Sequence, residues 1–209
     1  MISRYQTKRK GKANDVQLPA TTDWRTSDED EINKRRARAQ LESFKISNLD
    51  ARHPVFSNFR VQSGSGMTYS VEVRDVRQRQ FACDCVDFRI NGLGTCKHVE
   101  AVLLYLEARY RRLFKVAVQN GAARIDIVPD PAAGTLRVAS RLNDLPRAVR
   151  DWFASDGRLK NGNPEEVLEA LEKLRAGDLA DLRISQEVAP WLEARHHVAE
   201  RKALRHEYE

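Results

Sequence analysis

Two short pairs of potential metal ligands constrain this chain more than anything else in it. Cys83-Asp84-Cys85 is followed by ten residues, Val86 to Thr95, and then by Cys96-Lys97-His98. The chain's three cysteines all fall in this window. A disulfide framework more often spreads an even number of cysteines along a chain, whereas clustered cysteines in a reducing compartment point to metal or redox chemistry. Zinc takes four soft or borderline donors in a tetrahedron, and three thiolates with one imidazole are a common structural set. Ligands one residue apart can chelate from a tight turn. The second pair must return over the same ion, and Asn91-Gly92-Leu93-Gly94 gives the intervening loop the flexibility to do so. The expectation is one structural Zn2+ held by Cys83, Cys85, Cys96 and His98. Two other readings of the same residues are reduced buried thiols beside an incidental histidine, and a redox switch built on oxidisable thiolates. A catalytic zinc keeps a position open to water. Four protein ligands close the shell, so no enzyme activity is expected from this site.

The segments around the window supply a frame for it. Residues 54–61 (Val55, Phe59, Val61) lead into Ser63-Gly64-Ser65-Gly66, a turn signal. In the next stretch Tyr69, Val71 and Val73 alternate with Ser70, Glu72 and Arg74, as a half-buried strand requires. A short strand from Gln80 to Ala82 would deliver the chain to Cys83. After Cys96 the period becomes helical: Val99, Val102, Leu103, Leu106 and Tyr110 share one face of a helix from Lys97 to about Arg112. A helix that opens at the second ligand pair fixes both ligands, and its N-terminus favours thiolate over thiol.

Upstream, residues 1–12 read as a mobile basic arm, and a helix is expected over about Asp28–Lys45, its acids first and its bases later as the helix dipole prefers. Downstream, Phe114–Gln119, Arg124–Val128 and Leu136–Ala139 read as extended. Helices are expected at about Leu145–Ala154, at Pro164–Arg175 behind an Asn163 cap, and over Pro190–His206. The expected organisation is therefore 1–47 as basic arm and helix, 48–113 as the metal-binding finger, and 114–209 as a mixed α/β accessory segment, α+β in class.

The C-x-C, variable loop, C-x-H pattern, with a hairpin before it and the helix Cys-Lys-His-Val-Glu-Ala-Val after it, resembles the SWIM-type zinc finger, a ββα module. The resemblance covers roughly residues 54–112. It departs at Asp84 and Val86, where members often carry a small hydroxyl residue and a proline. SWIM fingers serve as nucleic-acid-binding or protein-interaction modules, and the layout here is similar to the N-terminal region of bacterial Swi/Snf-like helicases. The resemblance thus implies a nucleic-acid partner, DNA foremost, and association with a Swi/Snf-like ATPase.

The net charge of +6 and pI near 9.4 are compatible with a polyanionic partner without demonstrating one. Candidate phosphate contacts are Lys8, Arg9, Lys10 and Lys12 in the arm, Arg35, Arg36 and Arg38 in the first helix, and Arg74, Arg77, Arg79, Arg89 and Lys97 in the finger. The same Arg74–Arg79 group could equally be a solvated strand edge, where positive charge deters aggregation. A protein-interaction or regulatory module without direct nucleic-acid contact is the alternative function. His196-His197 and His53 read as surface and loop residues, and Trp24, Trp152 and Trp191 as packing residues. No phosphate-binding loop, nucleophile elbow or zinc-protease helix occurs in the chain. No apolar run approaches the ~18–20 residues of a membrane span, and the basic N-terminus has no apolar stretch behind it. The expected location is the cytoplasm.

Overall fold

In the computed structural model, residues 5–6, 27–122, 125–139, 142, 145–160, 162–176 and 182–207 are described. The chain divides into two compact units, Met1–Ala122 and Ala123–Glu209, and both helices and sheets contribute to it, as an α+β class requires.

The first unit is built on an antiparallel sheet in the order β1 (Tyr5–Gln6), β2 (Phe44–Asn48), β3 (Asn58–Ser63), β4 (Thr68–Asp75) and β5 (Gln80–Cys83). Register follows the apolar pattern. Ile46 faces Val61, which faces Tyr69, and Phe59 faces Val71, which faces Cys83. One face of the sheet therefore carries the apolar side chains, and Cys83 lies on that same face. The β3–β4 turn closes with Gly66 at φ +87°, a left-handed conformation that costs glycine nothing.

Helix α1 (Asp28–Leu41) begins with a capping box. The Ser27 hydroxyl accepts from the Asp30 backbone N–H, and the Asp30 carboxylate accepts from that of Ser27. It ends earlier than the charge order suggests, because Phe44 and Ile46 alternate with Lys45 and Ser47 and are drawn into the sheet as β2. Helix α3 (Lys97–Arg109) lays Val99, Val102 and Leu106 on the sheet with no exposed surface, and Leu103 and Tyr110 pack at its margin. At about 1.5–3 kcal/mol for each fully buried aliphatic side chain, this face anchors the unit. Helix α2 (Val86–Asn91) fills the loop between the ligand pairs.

Phe114–Gln119, expected to be extended, is helical and lies in α4 (Arg111–Asn120) of the first unit. The alternation of Phe114, Val116 and Val118 suggests a strand. A helical turn instead puts Ala117 against the core with Phe114 beside it, and that packing overrides β-propensity.

The second unit holds a small sheet in the order β7 (Thr135–Val138), β6 (Ile125–Asp130), β8 (Leu182–Ile184), antiparallel between β6 and β7 and parallel between β6 and β8. Helices α5 (Arg147–Arg150), α6 (Pro164–Ala176) and α7 (Val188–Glu207) complete it. The Asn163 side chain accepts from the Glu165 backbone N–H, the cap expected there. Its core gathers Ile127, Leu136, Val149, Phe153, Leu171 and Leu182. No helix among the described residues is long and apolar enough to cross a membrane.

Candidate metal centre

Strand β5 ends at Cys83, Cys85 is the N-cap of α2, Cys96 is the N-cap of α3, and His98 sits in the first turn of α3. One donor atom from each lies within 4.8 Å of every other, and all four residues are buried. His98 Nδ1 is 3.9 Å from both Cys83 Sγ and Cys96 Sγ. Metal–sulfur bonds of ~2.3 Å and metal–nitrogen bonds of ~2.0 Å set tetrahedral edges of about 3.5–3.8 Å. The four donors are thus spaced to hold a metal ion. The cysteines belong to the same core cluster as Phe44, Ile46, Val99 and Val102, so the centre is part of the hydrophobic interior.

Backbone and ring contacts orient the donors. Cys85 Sγ accepts from the Phe88 N–H at 3.4 Å, and Cys96 Sγ accepts from the Val99 N–H at 3.5 Å, so each sulfur caps the helix it precedes. The His98 ring stacks on Tyr69, centroids 3.9 Å apart, and meets Phe44 edge-on at 5.8 Å. Its Nε2 is buried and has no hydrogen-bond partner among the described residues.

The thiols compete for one negative charge. Hydrogen bonding to Cys85, then to Cys96, drives the Cys83 thiol far up, with burial adding to the shift. Cys85 is driven down, chiefly by the bonds it accepts from Cys83 and Cys96. Cys96 is pushed up to about 12: its bond with Cys83 pulls downward, and the Cys85 sulfur together with burial outweighs it. Three thiolates this close together repel one another, and a cation among them would let them coexist.

A polar shell supports the donors, and most of it is not legible in the ligand pattern. Glu100, 2% exposed, accepts from the Thr95 hydroxyl at 2.8 Å, from Arg79 Nη2 at 3.0 Å and from Arg36 Nε at 3.3 Å. The Asn91 side chain donates to the Thr95 carbonyl at 2.9 Å and accepts from the Leu93 N–H at 2.7 Å, closing the return loop. Asp84 accepts from the Ser70 N–H at 3.1 Å and ties the first pair to β4.

The nominated cations divide into three groups. Arg35 grips Asp87 through two bonds, 3.0 and 2.7 Å, and also reaches Glu31. Arg36 and Arg79 share Glu100, Arg74 pairs with the buried Glu72 at 2.9 Å, and Lys97 pairs with Glu42 at 2.6 Å. Arg38, Arg77 and Arg89 are exposed on α1, the β4–β5 turn and α2, without an ion pair among the described residues. Lys8, Arg9, Lys10, Lys12 and Trp24 lie outside the described residues. His53 is in the β2–β3 loop, 3.9 Å from Asp50. His196 and His197 are exposed on α7 beside Glu165 and Glu200, and Trp152 and Trp191 pack at the core of the second unit.

Comparison with family models, with curated proteins and with solved structures gives no match to this chain.

Proposed function

We propose that the first unit is a SWIM-type finger folded around one structural zinc ion, and that it binds nucleic acid, DNA foremost, without being an enzyme. The observation that carries the metal reading is the buried set of four donors, all within 4.8 Å of one another, inside the core. Three sulfurs and one imidazole suit zinc better than magnesium or calcium, which prefer oxygen. Bound zinc would supply the charge that lets three thiolates coexist and would fix the starts of α2 and α3. Cys83, Cys85, Cys96 and His98 would hold it, and with four protein ligands no position is left for a reacting water.

The nucleic-acid reading rests on the basic surplus of the chain and on the resemblance of its ligand pattern to SWIM fingers. On that reading the unit serves a larger machine such as a Swi/Snf-like ATPase. A protein-docking role is the second reading, favoured by Val86 and Ile90. These residues stand 60% and 77% exposed on α2, beside the donors.

The test is metal and thiol content on protein purified without added metal, with Cys96→Ser and His98→Ala in parallel. The expected result is one zinc per chain, thiols that react only after chelation, and loss of first-unit structure in both variants. Full metal-free stability with three freely reactive thiols would overturn the zinc reading. Salt-dependent binding of duplex DNA by the zinc-loaded chain is then expected, and binding that ignores salt would overturn the phosphate reading.

A further inference from the structure

The cations nominated in the finger are largely committed to carboxylates, yet the first unit carries another basic surface. Between Ala101 and Ala122 the chain has four cations, Arg109, Arg111, Arg112 and Lys115, and a single acid, Glu107. All four cations are exposed and none makes an ion pair among the described residues. Arg38, Arg77 and Arg89, also unpaired, stand singly on three different elements. At 100° per residue, Arg111, Arg112 and Lys115 fall within about 100° of one another around α4, and Arg109 immediately precedes them at the end of α3.

The charge order works against the helix that bears it. The first turn of α4 holds two arginines and no acid, and its N-cap Tyr110 makes no side-chain capping bond. A helix dipole favours the opposite arrangement. Local choices that oppose folding are concentrated at functional sites.

The platform beneath this face is fixed. Ala117 is buried, Phe114 and Tyr110 pack on the core, and the Ala122 N–H donates to Asp75 Oδ2 at 3.3 Å. Ala117, at the centre of the apolar side of α4, is turned into the fold, while Leu113, Val116 and Val118 at the margins of that side are 50%, 51% and 45% exposed beside the cations. The helix thus presents its basic side outward from a fixed base, and the vesicle arm of the test below separates a phosphate backbone from a lipid surface.

We propose that Arg109, Arg111, Arg112 and Lys115 form the surface through which the first unit contacts a nucleic-acid phosphate backbone. This rests on the nucleic-acid reading above and relocates its contacts. The metal centre's part is indirect: it fixes the start of α3, and α3 carries α4.

The experiment uses the full zinc-loaded chain and labelled duplexes of mixed sequence, one DNA and one RNA, titrated across a salt series. Two variants are compared with wild type: the four cations changed to Gln (Arg109→Gln, Arg111→Gln, Arg112→Gln, Lys115→Gln), and a control with Arg38→Gln, Arg77→Gln and Arg89→Gln. Gln keeps helix propensity at exposed positions, and zinc content and circular dichroism check folding. Each lost phosphate contact should flatten the log–log salt slope by about 0.9 on duplex DNA. The first variant should therefore lose about 2 to 4 of slope and at least about tenfold in affinity, with the control within about twofold of wild type.

Wild-type affinity and slope in the first variant would overturn this surface while leaving nucleic-acid binding intact, as would an equal loss in the control. If wild type binds neither duplex, both this inference and the nucleic-acid reading fail. Binding that depends on these four residues but is confined to phosphatidylserine vesicles or an acidic peptide would assign the surface to another partner and overturn the proposal.

Discussion

Glu100 offers a test of how the polar shell is held together, because the cost of removing its partners should depend on whether its charge remains. The carboxylate is 2% exposed, whereas Arg36 and Arg79 are 45% and 43% exposed. Deleting both arginines, as Arg36→Ala with Arg79→Ala, leaves a buried carboxylate whose one remaining partner among the described residues is the Thr95 hydroxyl. Stranding a buried charge costs about 3–5 kcal/mol. Adding Glu100→Gln removes the charge and keeps an oxygen to accept from Thr95, so the residual penalty is that of an unmatched neutral group, about 1–3 kcal/mol. The triple variant should accordingly be more stable than the double by about 2 kcal/mol, although it departs further from the native sequence.

Hydrogen exchange at the amides of α3 is the suitable assay, since it reports on the first unit alone. A triple variant no more stable than the double would refute the reasoning.

Two further outcomes are expected. Gly121, at φ +77° and ψ −167°, occupies a region that is nearly glycine-only, and a Cβ there would sit 2.7 Å from Asp75 Oδ2. Gly121→Ala should destabilise the first unit by about 1–3 kcal/mol, read as faster exchange in α4, and unchanged exchange would refute the strain. In the second unit, the bond from Arg158 and then that from the Ala133 N–H hold the Asp130 carboxyl below its ordinary 3.8. A depressed pKa adds stability above that ordinary value and loses it as pH falls through the folded one. Asp130→Asn should therefore shift the acid unfolding profile of that unit, while an identical profile would show the pair to be idle.

The cluster of four potential donors and its frame were legible because they are local. Cys83, Cys85, Cys96 and His98 are defined by spacing, the β3–β4 hairpin by alternation around a glycine turn, and α3 by one apolar face. What escaped depends on partners distant in sequence. Strand β2 hides behind α1 because Phe44 and Ile46 reveal themselves only when Val61 is placed opposite. Strand β8 is three residues long and gains its identity from a parallel neighbour, β6. Helix α4 has a strand's alternation and a helix's packing. Glu100 carries no motif, and its partners Arg36 and Arg79 lie 64 and 21 residues away. The nominated cations show the same limit: sequence counts charges, and only the fold shows which of them are already matched.

The arrangement of helices around the centre bears on its charge. Three thiolates, one neutral imidazole and a divalent cation would sum to −1, a charge that burial penalises. Both helices that start at the site point their N-termini toward it, and the sulfurs of Cys85 and Cys96 accept the Phe88 and Val99 N–H groups there. Those are the partial positive charges of helix starts, placed where a net anion needs them. The Tyr69 and Phe44 rings exclude water from the imidazole side without supplying a competing charge. The nearest acids are turned away from the donors: Glu100 to Arg36 and Arg79, Asp87 to Arg35, and Asp84 to the Ser70 N–H. A set of four donors, two helix starts, two acids paired with arginines and a third held by a backbone N–H is self-consistent for a closed, structural ion. A hydrolytic ion would need one of those carboxylates free and facing it.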